Sequence, residues 1–203
     1  MRTFILANCY NEIDNLPRMW ESVQANLGEV VLVAVDGKYP DYDAPDDLST
    51  DGTRDYARAE GYLITSTGYE CDKRTAGLQF IDTLAEDGDW VLVMDADETL
   101  TSIFGWPQRV GYIAFTRHSR PEVTYGRCRL YKWEPGLEFK HRHYDLYDAS
   151  GELVSSLEDA PDFQPVGTGI HYDKSHSPAR IKTKKDYYTQ LRKRERHPAE
   201  VSV

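Results

Sequence analysis

The chain has 203 residues, 40% hydrophobic and 12% aromatic, and a formal net charge of −10. A domain of this length buries roughly 70% of the surface its unfolded form exposes, so one well-cored domain is expected, against both intrinsic disorder and a second full domain. An acidic body also argues against nucleic acid as the principal partner, because backbone phosphates need broad cationic surface.

In chain order, TFILANC (3–9) predicts a strand, 15–26 a helix capped by Asp14 or Asn15, EVVLVAV (29–35) a second strand and 49–61 a capped helix. YLITST (62–67) predicts a third strand, 71–88 contains a further helix, and WVLVMD (90–95) is a strand apolar on both faces. Strands alternating with helices imply a parallel sheet covered on both sides. After Glu98 the texture shortens to β-rich pieces, VGYIAFTR (110–117) and YGRCRLYKW (125–133), an antiparallel or mixed half. Near the end, Ser177 suits a cap, Pro178 a first helical position, and Ile181, Tyr188 and Leu191 an interrupted apolar stripe. A basic helix over 178–197 is therefore expected, since residues 180–203 hold eight Lys or Arg against three acids. Such a helix packs on the body or docks at an anionic membrane surface. The division within one domain is 1–98, 99–177 and 178–197.

Cys9, Cys71 and Cys128 are odd in number and far apart, which argues against a disulfide framework and predicts a reducing, cytoplasmic setting. The apolar runs VVLVAV and WVLVM fall far short of the roughly 20 residues a membrane span needs, and MRTFILANCY lacks a signal-peptide layout.

The chemistry gathers at predicted strand ends, where open α/β sheets bind ligands. The first strand runs into NCYNE, the second into VDG, the third leads to ECDKR, and the fourth delivers DADE. Asp95 and Asp97, two apart in an extended turn, project to similar sides and suit one hard cation that keeps sites for water or phosphate oxygens. Taken alone, D-x-D is a weak motif and equally describes a solvated acidic turn. VLVMDADET also fits a haloacid-dehalogenase phosphatase, with Asp95 as nucleophile and Asp97 as acid–base residue. That fold normally begins with this strand, whereas here three strands precede it.

ILANCYNEIDNL, VDG, STDGTRD and WVLVMDADE, in this order and spacing, resemble the family-2 glycosyltransferases with a GT-A fold. The resemblance covers roughly the first 100 residues. CRLYKWEPGLEFKHRHYDLY and GIHYDKSHSPARIKTKKDYY look, more loosely, like the acceptor-side half of small bacterial and phage members. The implied fold is a mixed α/β sheet flanked by helices, with a β-rich acceptor half and a C-terminal helix. The implied activity is metal-dependent transfer from a UDP-sugar, such as UDP-glucose, to a hydroxyl acceptor on a glycan, protein or lipid. On that resemblance Ala7, Asn8 and the NCYNE turn frame the nucleotide, with Tyr10 on the base and Glu12 near the ribose. Asp36 accepts a hydrogen bond from the base, Lys73 or Arg74 counters the diphosphate, and Asp95 and Ala96 lie near the ribose. Asp97, with Asp95, meets Mn2+ or Mg2+, and His171 is placed as a further ligand; neutral imidazole suits Mn2+ better.

Asp145 is the candidate general base of an inverting transfer, with Glu98, Asp148 and Glu138 as rivals. A retaining transfer requires no such base. His141 and His143 could share a strand face and bind zinc, but no cysteine pair or H-E-x-x-H helix accompanies them. One departure from the family stands out: GKYPDYDAPDDL separates Asp36 from STDGT, where members commonly have one or two residues, and is read as an active-site loop. A sugar-nucleotide or cation-binding module without turnover is the non-enzymatic alternative.

Overall fold

The computed structural model describes residues 1–40, 42–140, 145–155, 164–172 and Thr189. Strands β1 (Thr3–Cys9), β2 (Val30–Asp36), β3 (Gly61–Thr65) and β4 (Trp90–Asp95) pair in parallel in the order β3-β2-β1-β4. Helices α1 (Leu16–Asn26), α2 (Thr53–Glu60) and α3 (Glu70–Ile81) make the crossovers. β1 shows why the sheet is covered on both sides. Ile5 and Ala7 pack with Leu16, Met19, Trp20 and Ala57 of α1 and α2, while Phe4 and Leu6 pack with Leu78 and Ile81 of α3. Gly77 brings α3 close to the sheet, because a Cβ there would lie 2.2 Å from Leu6 Cδ1 and 3.1 Å from Val35 Cγ2.

Beyond β4 the sheet continues through β7 (Arg120–Lys132), β6 (Val110–Arg117), β11 (Pro165–His171) and β5 (Glu98–Ile103). These pairings are antiparallel except β11 with β6. A second sheet joins β8 (Glu138–Lys140), β9 (Asp145–Tyr147) and β10 (Leu153–Ser155), with Leu137, Phe139 and Leu146 packed into the core on the α3 side. The whole is the mixed, helix-flanked α/β sheet with a β-rich second half that the resemblance implied.

Local differences have local causes. α3 stops at Ile81, earlier than the 71–88 window allowed, and the Asp82 carboxylate instead accepts from Trp133 Nε1 (2.9 Å) and Gly136 N (3.2 Å). Asn15 holds the cap position of α1, but its side chain bonds Glu12 and Arg18 rather than the helix backbone. The expected helix at 178–197, with its membrane docking, and the His141/His143 pair lie outside the described residues. Among the described residues no helix is long and apolar enough to cross a membrane.

Candidate active site

The carboxyl ends of β1, β2 and β4 lie side by side in the sheet, and the segments that leave them border an open cleft. Asn8, Cys9, Tyr10 and Glu12 line it from the end of β1 and the turn beyond. Asp95, Ala96 and Asp97 line it from the end of β4, and Glu70 and Lys73 from the first turns of α3. Tyr39 and Tyr42, from the 37–48 segment, complete the wall.

The STDGT turn holds the β1 turn in place. Asn11 N donates to Ser49 Oγ (2.7 Å), Glu12 N to Thr53 Oγ1 (2.7 Å), Thr50 N to Asn11 Oδ1 (2.9 Å) and Ile13 N to Asp51 Oδ2 (3.1 Å). These bonds fix Tyr10 and Glu12 by satisfying the backbone of the turn that carries them, including Asn11 at φ 52°. Asp36, fully buried, accepts from Ser49 N and Oγ and lies 3.4 Å from Arg54 Nε. Its carboxylate thus ties the end of β2 to the far end of the 37–48 segment, and it is absent from the cleft wall.

Lys73 is 1% exposed, and its ammonium donates to the carbonyls of Gly37 (2.6 Å) and Cys9 (3.2 Å) beneath the Tyr39 ring (4.9 Å). It clamps the ends of β1 and β2 together at the cleft floor. Burial lowers its pKa, with Cys9 and Asp36 acting against that.

The carboxylates at the end of β4 have buried cationic partners. Arg74 bonds Glu70 (2.6 Å) and Asp95 (3.1 Å); Arg129 bonds Asp95 and Glu98, each at 2.8 Å. Arg129 reaches them because it is the extra residue of a β-bulge: Gly111 pairs with Leu130, and Tyr112 already with Cys128. A bulge re-aims a side chain, here an arginine turned toward the cleft. Burial alone would raise the Asp95 pKa, but Arg129 and Arg74 outweigh it and hold the carboxyl ionised well below the usual range. Burial pushes Glu98 up, only partly opposed by Arg129. Glu98 also accepts from Asp95 N (2.9 Å), closing the D-A-D turn.

Asp97, 5% exposed, pairs with a different partner. Its Oδ2 lies 3.6 Å from His171 Nε2, while His171 Nδ1 meets Tyr125 Oη at 2.8 Å. That second contact fixes the imidazole with Nε2 toward Asp97, as an orienting partner does for a metal-bound histidine. Burial opposes protonation of His171, but Asp97 followed by Glu98 and Asp95 outweigh it and raise its pKa. Among the described residues no group of three or more His, Cys, Asp and Glu forms a metal cage. The Asp97 carboxylate and the His171 imidazole are the side chains that could share one ion, beside Asp95, whose two oxygens meet Arg74 and Arg129. This pair fits a divalent ion that fills the rest of its shell with water and phosphate oxygens, not a closed tetrahedral zinc site.

The structure therefore gathers Asn8, Tyr10, Glu12, Lys73, Asp95, Ala96 and Asp97 around one cleft, with His171 against Asp97. Ala7 lies in the core below, and Arg74 behind Asp95. Asp145 opens β9, opposite Lys140, and is not among the residues that line the cleft. Sequence reasoning missed Glu70, Arg129 and Tyr125. The signal for a partner such as Arg129 was present in outline: three carboxylates at a buried strand end require a cation from elsewhere.

The chain matches no protein-family model. Over 164 residues it is 27% identical to the TPR repeat-containing protein Synpcc7942_0270 of Synechococcus elongatus, covering 76% of this chain and 37% of that protein. It thus spans well under half the length of this curated relative. Structural similarity extends to S. aureus TarS 1–349 in complex with UDP (TM-score 0.38, 14% identity, 58% of this chain and 36% of that chain). For the complex of TarS 1–349 with UDP-GlcNAc the values are TM-score 0.34, 18% identity, 58% and 34%.

Proposed function

We propose that the chain is a metal-assisted glycosyltransferase, moving a sugar from a nucleotide diphosphate donor, a UDP-sugar such as UDP-glucose, to a hydroxyl acceptor. The observation that carries the proposal is the arrangement at one strand edge. An aromatic-walled cleft with Tyr10 and Glu12 runs to the Asp97–His171 pair, and Tyr10, Glu12 and Asp97 lie on the motifs that resemble family-2 enzymes.

Tyr10 offers a face to the base and Glu12 an acceptor to the ribose. Asp95, immobilised by Arg74 and Arg129, presents a fixed anion to sugar hydroxyls, so its orientation needs no rearrangement during reaction. Asp97 and His171 would hold a divalent ion, which would supply charge stabilisation for the departing diphosphate. Tyr125 holds the His171 ring in the orientation that ligation requires. On the acceptor side, the β8–β9 pair is tied to α3 through Phe139, whose ring lies 5.7 Å from the Arg74 guanidinium and whose backbone bonds Thr75. For an inverting transfer, Asp145 takes the acceptor proton.

A panel of UDP-sugars with and without Mn2+ tests the reading. UDP release that depends on metal and falls to background in Asp97→Ala is expected. Phosphomonoester hydrolysis by a protein that releases no UDP from any donor would assign the site to a phosphatase instead.

A further inference from the structure

The 37–48 segment is where this chain departs from the family pattern, and it is built into the cleft. Its two ends are fixed on the sheet. At one end the Gly37 carbonyl is held by Lys73, and Lys38 N donates to Asp47 O (2.8 Å). At the other, Ser49 bonds the buried Asp36 carboxylate through both its backbone N–H and its hydroxyl. Between them Lys38 Nζ reaches Ala44 O (3.0 Å), and Tyr10 Oη donates to Asp46 O (2.7 Å). The segment is thus strapped along the same side of the cleft as Tyr10. Its two tyrosines face inward: Tyr42 meets the Tyr10 ring edge-on at 5.6 Å, and Tyr39 lies over the Lys73 ammonium.

We infer that Tyr39 and Tyr42 form the platform that binds the nucleoside of the donor, and that Asp36 acts only through the loop, as a positioning residue rather than a reader of the base. This rests on the nucleotide-sugar reading above. Asp36 is 0% exposed, and its oxygens serve Ser49 and Arg54, so a base could reach them only after the Ser49 bonds break. Tyr39 and Tyr42, by contrast, already line the cleft. Stacking on tyrosine takes any base, since every base has a π-face. Discrimination among nucleosides should accordingly be weaker than a hydrogen bond from Asp36 would give.

The test is calorimetric titration of the full chain with UDP, uridine and inorganic pyrophosphate in the presence of Mn2+. Tyr39→Ala and Tyr42→Ala should each weaken UDP and uridine by about tenfold while leaving pyrophosphate unchanged. Tyr→Phe at either position should keep wild-type affinity, because the ring face is what binds. Ser49→Ala lines no part of the cleft but releases both Asp36 and the Asn11 N–H, so it should weaken UDP at least as much as Asp36→Asn, and again not pyrophosphate. General loosening of the fold would lower all three affinities together and would overturn the inference. So would UDP binding within twofold of wild type in both alanine variants, or loss of UDP in Asp36→Asn with full retention in Ser49→Ala. Wild-type protein that binds no nucleoside diphosphate would overturn the donor reading itself.

Discussion

Replacing Arg129 by Met removes a guanidinium that is 2% exposed and spans Asp95 and Glu98 with two 2.8 Å contacts. Methionine fills much of the same volume, so the dominant effect is electrostatic. Glu98, itself 1% exposed, loses its cation, and Asp95 keeps only Arg74. Breaking one side of a buried pair typically costs about 3–5 kcal/mol. For a domain of this size that corresponds to a fall in Tm of roughly 6–20 °C. Adding Glu98→Gln should recover part of the loss, since the amide removes the stranded charge and can still accept from Asp95 N. Urea denaturation of wild type, both single variants and the double variant at pH 7 measures the cycle. A loss below about 1 kcal/mol for Arg129→Met, or a double variant no more stable than that single variant, would refute the buried-network account.

Asp89 accepts from Arg2 N (2.8 Å), Arg2 Nη2 (2.7 Å) and Glu86 N (3.1 Å), which outweigh burial and hold its pKa below the ordinary value. The stabilisation is therefore complete above the unfolded value of about pH 3.9 and is lost as pH falls through the native pKa. Asp89→Asn should be about 1–3 kcal/mol less stable near neutrality, with the gap closing in acid titrations followed by circular dichroism. Gly77→Ala forces a methyl against Leu6 and Val35 and should cost about 1–3 kcal/mol in chemical denaturation, with Gly77→Val worse. Asp145→Asn should keep UDP affinity while transfer collapses; unchanged transfer would remove it as general base.

The parallel half was readable because β1, β2 and β4 carry apolar residues on both faces while α1 repeats apolar residues at Leu16, Met19, Trp20 and Val23. β5 and β11 were not. ETLTSI mixes polar residues into a strand, and PVGTGIH relies on Gly167 and Gly169, where a Cβ would strike Ser102 O (2.7 Å) and Thr99 O (2.6 Å). Strands chosen for close backbone approach leave little side-chain period to detect. At the site, the sequence placed Asp95, Asp97 and the Tyr10 turn at neighbouring strand ends but carried no information about their partners. Arg129 reads as one more alternating residue of RCRLYK until the bulge turns it round. Asp36 shows the opposite limit: its position at a strand end was legible, but its commitment to Ser49 depends on how the following twelve residues return to the sheet.

The central claim is that one cleft binds a nucleoside diphosphate through a cation held at Asp97. Titration of the purified chain with UDP, with Mn2+ present and then with Mn2+ chelated, tests it most directly. The account predicts UDP binding that requires the metal in wild type and is lost in Asp97→Ala, although that variant remains folded. UDP binding of equal strength with and without metal, or undiminished in Asp97→Ala, would contradict it.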